Sequence, residues 1–285
     1  MKADTTDPER AQTHEGRFAK KPMKPFLKWA GGKRWLFESG QFQLPPIEGR
    51  YIEPFLGGGA VFFENQPQRA KLSDANSRLV ELYLAIREQQ EEFEYQLNQH
   101  AKAHSKEYYY RLRSMRLKTP VSRAAQFLYL NRTCWNGLYR ENLKGEFNVP
   151  IGTKQTVIFE NDNFPAWSSA LAACEIECRD FEAAIDEAEY GDFVFVDPPY
   201  TVRHNMNGFV KYNQNIFAWE DQVRLRIALE RAVGRGAAFA MTNADHASIR
   251  DLYSGFGKHR SIGRHSVIAG KSAHRGRSTE LLVVG

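Results

Sequence analysis

Cysteine is scarce in this chain of 285 residues, which contains only Cys134, Cys174 and Cys178. An odd number of cysteines in a chain of this length does not build a disulfide framework. Cys174 and Cys178 have the spacing of one helical turn, but no second pair of cysteines or histidines accompanies them to complete a zinc site. We therefore expect three core thiols in a reducing compartment and no structural metal.

Long apolar runs are missing as well. No stretch approaches the ~18 apolar residues that a membrane-spanning helix needs, although 42% hydrophobic residues suffice for a substantial core. The first 21 residues are polar and lack the apolar segment of a secretory signal, so we expect a disordered tail on a cytoplasmic protein. Lys and Arg exceed Asp and Glu by 39 to 34, which permits a polyanionic partner without requiring one.

Strand and helix patterns alternate in two pieces of the chain, residues 22–75 and 163–285. Between them, residues 76–162 have helical periodicity up to residue 135 and an irregular hairpin at 131–152 with Asn-Gly and Lys-Gly turns. The pattern predicts an α/β fold with a mostly helical insertion. The predicted strands are RYIEP (50–54), AKLSD (70–74), CEIECRD (174–180), DFVFV (192–196), AAFAMTN (237–243), SIGRHSVI (261–268) and STELLVVG (278–285).

Three glycines, Gly57 to Gly59, separate the first predicted strand from a helical pattern. Glycine lets the backbone turn sharply and approach a ligand closely, but a tight turn without a ligand would use the same residues. The spacing is not that of a triphosphate-binding loop. In AGGKRW, Arg34 follows Lys33 where such a loop needs Ser or Thr for magnesium.

Four acids fall at or near the ends of predicted strands: Glu53, Asp74, Asp180 and Asp197. Because parallel strands end at one edge of a sheet, these acids are expected to line the same crevice. Four acids would repel a polyphosphate and would suit ribose hydroxyls, amino groups or a cationic ligand. Each acid taken alone could equally be a helix cap or a surface residue.

The segment VDPPY (196–200) ends a buried strand with an acid, two prolines and a tyrosine. The prolines stiffen the backbone and carry no N–H, so the Asp197 carboxylate and the Pro198 carbonyl can be held as two fixed acceptors. Two acceptors match an exocyclic NH₂ group, and Tyr200 offers a flat face on which a ring can stack. The alternative is a strand that ends at Pro-Pro with the acid capping a turn.

Five ordered motifs together resemble Dam-type DNA N6-adenine methyltransferases. They are FLKWAGGK (26–33), EPFLGGGAVFF (53–63), LSDAN (72–76), FLYLNRTCWNGLYRENLKGEFNVPIG (127–152) and VDPPY (196–200). The resemblance implies a Rossmann-like S-adenosylmethionine-dependent methyltransferase sheet with a mostly helical target-recognition insertion. Residues 22–75 and 163–285 would form the catalytic and cofactor-binding domain, and residues 76–162 the target-recognition domain.

The resemblance also implies site residues for the cofactor, S-adenosylmethionine, and for the target adenine. Asp74 would hold the ribose hydroxyls, Asp180 and Phe181 would flank the cofactor's adenine, and Glu53 would line its methionine side. Asp197, Pro198 and Tyr200 would receive the target adenine as catalytic residues. The positions that match the family's cofactor-binding residues are Trp29, Lys33, Glu53, Gly57, Gly59, Asp74, Asp180, Phe181 and Asp197.

Double-stranded DNA is the implied partner, with no obligate protein partner. The matching DNA-contacting positions are Lys28, Trp135, Asn136, Leu138, Arg140 and Pro150. One position departs from the family, because Lys154 stands where GATC-specific members carry an aromatic residue. GATC is therefore only the first candidate for the target, and we expect Lys144 and Lys154 to meet phosphates.

Two other functions stay open at this level. The first is an RNA or free-nucleoside amine methyltransferase, since related tetrapeptides serve similar amine pockets. The second is a DNA-binding relative that has lost catalysis. The long basic insertion favours a duplex over the first, and the complete DPPY and GGK segments favour an enzyme over the second.

Overall fold

The computed structural model describes residues 22–142, 145–203, 217–265 and 277–285. The predicted tail at 1–21, Lys144 and residues 266–268 of a predicted strand lie outside the described residues. The described residues form a seven-stranded sheet in the order β3-β2-β1-β4-β5-β7-β6. Its strands are β1 (Tyr51–Glu53), β2 (Ala70–Asp74), β3 (Cys174–Cys178), β4 (Phe193–Val196), β5 (Ala238–Ala244), β6 (Lys258–His265) and β7 (Arg277–Val284).

The strand order reverses beside β1, which pairs in parallel with β2 on one side and β4 on the other. β3 and β5 extend the parallel part of the sheet outward, and β7 pairs antiparallel with β5. The carboxyl ends of β1 to β5 therefore meet at one edge, as the positions of the acids predicted. In open α/β sheets the crevice at such a reversal is where ligands bind.

Both faces of β4 are buried, which explains its continuous apolar sequence. Phe193 and Phe195 point into one hydrophobic core, and Val194 and Val196 point into a second core on the opposite face. Alternate residues of a strand face opposite sides of the sheet, so a central parallel strand covered on both sides must be apolar throughout.

Helices cover both faces and form the insertion. Asn76 caps α3 by accepting hydrogen bonds from the N–H groups of Arg78 and Leu79, as its side chain predicted. The helices are α1 (Arg34–Glu38), α2 (Ala60–Asn65), α3 (Ser77–Glu88), α4 (Gln90–Lys102), α5 (Lys106–Ser114), α6 (Pro120–Thr133), α7 (Phe164–Leu171), α8 (Phe181–Asp186), α9 (Trp219–Gly234) and α10 (Ala247–Leu252).

The hairpin after α6 is irregular, as predicted. Isolated antiparallel bridges join Cys134 to Ile151 and Glu141 to Phe147. Between them the chain turns at Asn136 (φ 57°) and Gly137 (φ 66°), where left-handed backbone angles suit Asn and Gly.

Two sequence expectations need correction. The strand predicted to run to Asp180 ends at Cys178, because the Asp180 side chain accepts from the Glu182 N–H and begins α8 instead. Cys178 is exposed rather than a core thiol, because β3 is the edge strand of the sheet. Cys134 and Cys174 are buried.

Within the described ranges, no helix combines the length and the apolar character that crossing a membrane demands. The same part of the chain contains no cluster of three or more His, Cys, Asp or Glu side chains arranged to hold a metal ion.

Candidate active site

Asp197 follows β4 directly, and two side chains hold its carboxylate. The Lys33 ammonium lies 2.9 Å from Oδ2, and the Thr242 hydroxyl donates to Oδ1 at 2.8 Å. The sequence around Asp197 contains no cation, and the fold supplies one from the distant GGK segment. The prolines remove backbone donors next to Asp197, and the donors that hold its carboxylate are these two side chains from distant segments.

Lys33 is itself almost completely buried, with 2% of its surface exposed. Its ammonium also donates to the Gly31 carbonyl at 2.6 Å and lies 3.6 Å from Oε2 of Glu280. Lys33 therefore faces Asp197 and Glu280 rather than solvent. The ammonium compensates the two buried carboxylates, and its removal would leave their charges buried without compensation.

Tyr200 closes this cluster. Its hydroxyl donates to Glu280 Oε2 at 2.7 Å, and the Lys33 ammonium lies 5.1 Å from its ring centroid. Burial raises the pKa of Tyr200 well above its ordinary value, so the phenol stays neutral. Burial also raises the pKa of Asp197, while the Lys33 charge opposes that shift.

Glu53 and Asp74 lie at the ends of the neighbouring strands β1 and β2. Glu53 is 3% exposed and accepts from the Tyr51 hydroxyl at 2.8 Å. Burial is the main cause that raises the pKa of Glu53 to about 8. The two Asp74 oxygens accept from the N–H groups of Gly57 and Asn76, each at 2.9 Å, and burial raises the pKa of Asp74.

The glycine turn lies directly beneath Trp29. Gly57 and Gly59 have φ of 48° and 63°, and a Cβ on Gly57 would approach Trp29 Cδ1 to 2.7 Å. The indole stacks in turn on Tyr139 of the hairpin, with ring centroids 5.4 Å apart. Glycine is therefore required here both for its left-handed backbone and for the close approach of Trp29.

Asp180 and Phe181 stand at the outer side of the same edge. The Asp180 carboxylate caps α8 and accepts from Arg224 Nη2 at 2.8 Å, so the capping alternative describes its contacts. Phe181 is buried and stacks on Phe55, with centroids 5.2 Å apart. The fold thus places an aromatic wall next to a half-exposed acid.

The predicted DNA-contacting residues of the hairpin are mostly exposed. Trp135 and Leu138 present 52% and 40% of their surface, unusual values for large apolar side chains. Asn136, Arg140 and Pro150 are exposed as well. The Arg140 Nε donates to the Asn148 side chain at 2.8 Å, a bond that orients its guanidinium.

Lys28 packs against two residues of the hairpin segment, Asn131 and Gly137. Asn131 accepts from the Lys28 N–H at 3.0 Å and donates to its carbonyl at 2.8 Å. The Lys28 side chain passes so close to Gly137 that a Cβ there would lie 2.7 Å from Lys28 Cδ. The Lys154 side chain lies next to Lys28, and desolvation together with this neighbouring charge lowers the pKa of Lys154.

A family model matches most of the chain. The model of the D12 class N6 adenine-specific DNA methyltransferases matches residues 29–267. The chain belongs to this family.

Curated relatives agree with that assignment. The chain is 37% identical over 270 residues to the type II methyltransferase M1.LlaDCHI of Lactococcus lactis subsp. cremoris, covering 92% of this chain and 95% of the relative. It is 33% identical over 285 residues to the type II methyltransferase M.MjaIII of Methanocaldococcus jannaschii, covering 92% and 99%. It is 33% identical over 237 residues to the DNA adenine methylase of Escherichia coli K12, covering 82% and 85%.

The reaction of this D12 class methyltransferase is therefore methylation of DNA adenine at N6, and it requires a methyl donor. The seven-stranded sheet is consistent with the class I S-adenosylmethionine-dependent methyltransferase fold of the family. The α/β class and the resemblance that the sequence suggested are both confirmed.

Sequence reasoning missed two residues of this methyltransferase's site, Thr242 and Glu280. Both lie in strands that the sequence predicts, and both are polar and buried. A buried polar residue in an apolar strand needs a hydrogen-bonding partner, and that need was the available signal.

Proposed function

We propose that this methyltransferase uses S-adenosylmethionine to methylate an adenine that it extrudes from a specific short site in duplex DNA. The observation that carries the proposal is the Asp197 carboxylate, which Lys33 and Thr242 hold at the carboxyl edge of β4. Gly31 of the GGK segment lies against the same group, since a Cβ on Gly31 would be 4.0 Å from Asp197 Oδ2. Asp197 of the acid–diproline segment therefore faces the GGK loop.

The edge residues fit a cationic nucleoside cofactor. Glu53 is a buried acid suited to an ammonium group, the partly buried Asp74 suits ribose hydroxyls, and Phe181 offers an apolar wall for a purine. Trp29, Gly57 and Gly59 would shape the pocket between them. When bound, S-adenosylmethionine supplies an electrophilic methyl group on a sulfonium.

Asp197 and the Pro198 carbonyl would accept the two hydrogens of the target amino group. The lone pair of that nitrogen is delocalised into the purine, so two hydrogen bonds that pull it towards tetrahedral geometry increase its nucleophilicity. Positive charge grows on the nitrogen during methyl transfer, and the same acceptors stabilise it more strongly in the transition state. Asp197 need not remove a proton beforehand, because the N6 proton becomes acidic only after the methyl group has arrived.

The base must be extruded, because an amino group inside a duplex cannot meet the methyl group in line. The lost stacking and pairing cost a few kcal/mol. The exposed Trp135 and Asn136 at the hairpin turn are the groups we assign to filling or propping the vacated stack. Arg140 is the candidate for bidentate pairing with guanine. Residues 76–162 would thus form the target-recognition domain, and residues 22–75 with 163–285 the catalytic domain.

GATC is the target to test first. Lys28 and Lys154 would contact the same part of the site, because their ammonium groups are neighbours. Two adjacent cations suit a phosphate or the O6 and N7 acceptors of guanine. The Lys154 ammonium also lies 5.6 Å from the Phe159 ring centroid. Because Lys154 stands where GATC-specific members carry an aromatic residue, the recognition sequence of this protein can differ from GATC at the corresponding base pair.

Asp197→Ala tests the proposal, with Asp251→Ala as a matched control on the exposed surface of α10. We expect Asp197→Ala to lower the rate of transfer at least ~10²-fold, as loss of a transition-state contact does, while the melting temperature stays near that of the wild type. The assay incubates tritiated cofactor with duplex DNA, RNA or no acceptor. Methylation of RNA alone, or full activity in a folded Asp197→Ala protein, would contradict the proposal.

A further inference from the structure

Glu280 is a buried acid that reaches the candidate active site from the last strand. It is 4% exposed, and β7 places it opposite Ala244 at the carboxyl end of β5. Its Oε2 accepts from the Tyr200 hydroxyl at 2.7 Å and lies 3.6 Å from the Lys33 ammonium. One carboxylate oxygen therefore contacts two residues of the catalytic cluster.

The charges of this cluster are unequal. Among the described residues, the Lys33 ammonium is the cation that contacts both carboxylates, Asp197 at 2.9 Å and Glu280 at 3.6 Å. If Glu280 lost its charge, the Lys33 ammonium would form an ion pair with Asp197 and no longer with Glu280. A fully paired carboxylate is a weaker acceptor for a neutral amine, because the ammonium already stabilises its charge.

We propose that Glu280 is a positioning residue for methyl transfer, which shares Lys33 with Asp197 and holds the Tyr200 hydroxyl. Its charge keeps Asp197 a strong acceptor for the target amino group, and its hydrogen bond keeps the Tyr200 ring beside that acceptor. This inference rests on the proposed role of Asp197 in accepting the amino group. It assigns no contact between Glu280 and the substrate.

The electrostatics around Asp197 agree with this geometry. Burial raises the pKa of Asp197, Lys33 lowers it, and Glu280 raises it again. Loss of the Glu280 charge should therefore lower the pKa of Asp197. Within the part of the chain that the structure describes, the titratable and charged groups that face Asp197 are Lys33, Glu53, Tyr200 and Glu280.

The decisive variant is Glu280→Gln, which keeps the size of the side chain and removes its charge. We expect kcat with saturating duplex and cofactor to fall about tenfold or more. We also expect the acid limb of the pH profile of kcat to move to lower pH, because Asp197 would ionise more easily. A residue with only a structural role would lower kcat without moving that limb.

Two variants separate the charge from the hydrogen bond. Tyr200→Phe removes the bond to Glu280 and keeps both carboxylates, so its acid limb should stay where the wild type has it. Glu280→Asp keeps the charge on a shorter side chain, so it should lower kcat without moving the limb. Glu91→Gln, on the exposed side of α4, is the matched control and should behave like the wild type.

Unchanged kcat, or an unmoved acid limb, in a folded Glu280→Gln protein would overturn the inference. If thermal melting shows that Glu280→Gln does not fold, Glu280→Asp decides, and an acid limb that moves in this variant, which keeps the charge, would overturn the inference. The proposed function fails separately, since a wild-type protein that transfers no methyl group to duplex DNA would contradict it before any variant is compared.

Discussion

At the scale of single residues, the candidate site contains acids whose pKa values are raised by burial. Glu53 is buried 2.8 Å from a tyrosine hydroxyl, and its pKa is raised to about 8. Near neutral pH such a group keeps its proton unless a cation arrives, because a lone buried carboxylate is costly. A cationic ligand that binds at the carboxyl end of β1 would therefore displace the proton from Glu53.

Binding of S-adenosylmethionine should accordingly release a proton from Glu53. At pH 7 the free protein holds that proton, so the number released should approach one, and it should decline as pH rises through about 8. Calorimetric titration in buffers of different ionisation enthalpy measures the number. The ligand's own amino group contributes equally to the wild type and Glu53→Gln, so their difference isolates Glu53, with Glu91→Gln as control. No difference between the two proteins would refute this linkage.

At the scale of elements, the insertion is stabilised by an aromatic cluster around the end of α4. His100 Nδ1 lies 2.6 Å from the Tyr108 hydroxyl, and His104 Nδ1 lies 2.7 Å from the Tyr129 hydroxyl. The Nε2 atoms of both histidines are buried and find no hydrogen-bond partner among the described residues. Burial lowers the pKa of His100 to about 4, so the cluster is built for neutral imidazole.

Acid should therefore destabilise this methyltransferase through His100. The unfolded side chain has a pKa near 6.5, so the unfolded state binds more protons between that pH and about 4. The contribution of neutral His100 to the free energy of unfolding is present above pH 6.5. It falls by roughly 2–3 kcal/mol as pH drops towards 4. Chemical denaturation from pH 7.5 to 4.5 should show a smaller decline in His100→Asn than in the wild type. His246→Asn, an exposed cap of α10, should decline as the wild type does.

The elements themselves follow from local sequence to a large degree. The helix α3 begins where the Asn76 cap predicts, and β4 is buried on both faces as its apolar run predicts. The carboxyl ends of the strands share an edge, as the acids suggested. The end of β3 was predicted wrongly because Asp180 caps α8 instead of continuing the strand. The exposure of Cys178 was predicted wrongly because the position of β3 at the sheet edge is a tertiary property.

At the scale of the whole molecule, an excess of basic residues accompanies a hairpin at 131–152 whose proposed DNA-contacting residues are exposed. Contacts to phosphates release counterions, so the binding of DNA should weaken with salt. Contacts to base edges instead change the choice of sequence. The two kinds of contact can therefore be separated by measuring both properties on the same variants.

Lys154→Ala should reduce the slope of log binding constant against log salt by about 0.9 if Lys154 meets one phosphate. Arg140→Ala should instead relax the choice of target, since a bidentate guanine contact contributes ~1–3 kcal/mol of discrimination. Fluorescence titration and methylation of a randomised duplex library measure these effects. Lys258→Ala is the control, because Lys258 begins the outer strand β6, where it pairs with Val284 of β7, and does not lie in the hairpin at 131–152. An unchanged slope or an unchanged site preference in the respective variant would contradict the assignment.

The sequence by itself determined the fold class, the family and the candidate acids, because periodicity, glycine turns and the DPPY segment are local. Only the tertiary structure decided that Lys33 pairs with Asp197, that Thr242 and Glu280 complete the cluster, and that Lys154 neighbours Lys28. These partners come from separate strands and loops. Their charges interact only because the order of the sheet brings them to one edge, and no local pattern encodes that distance.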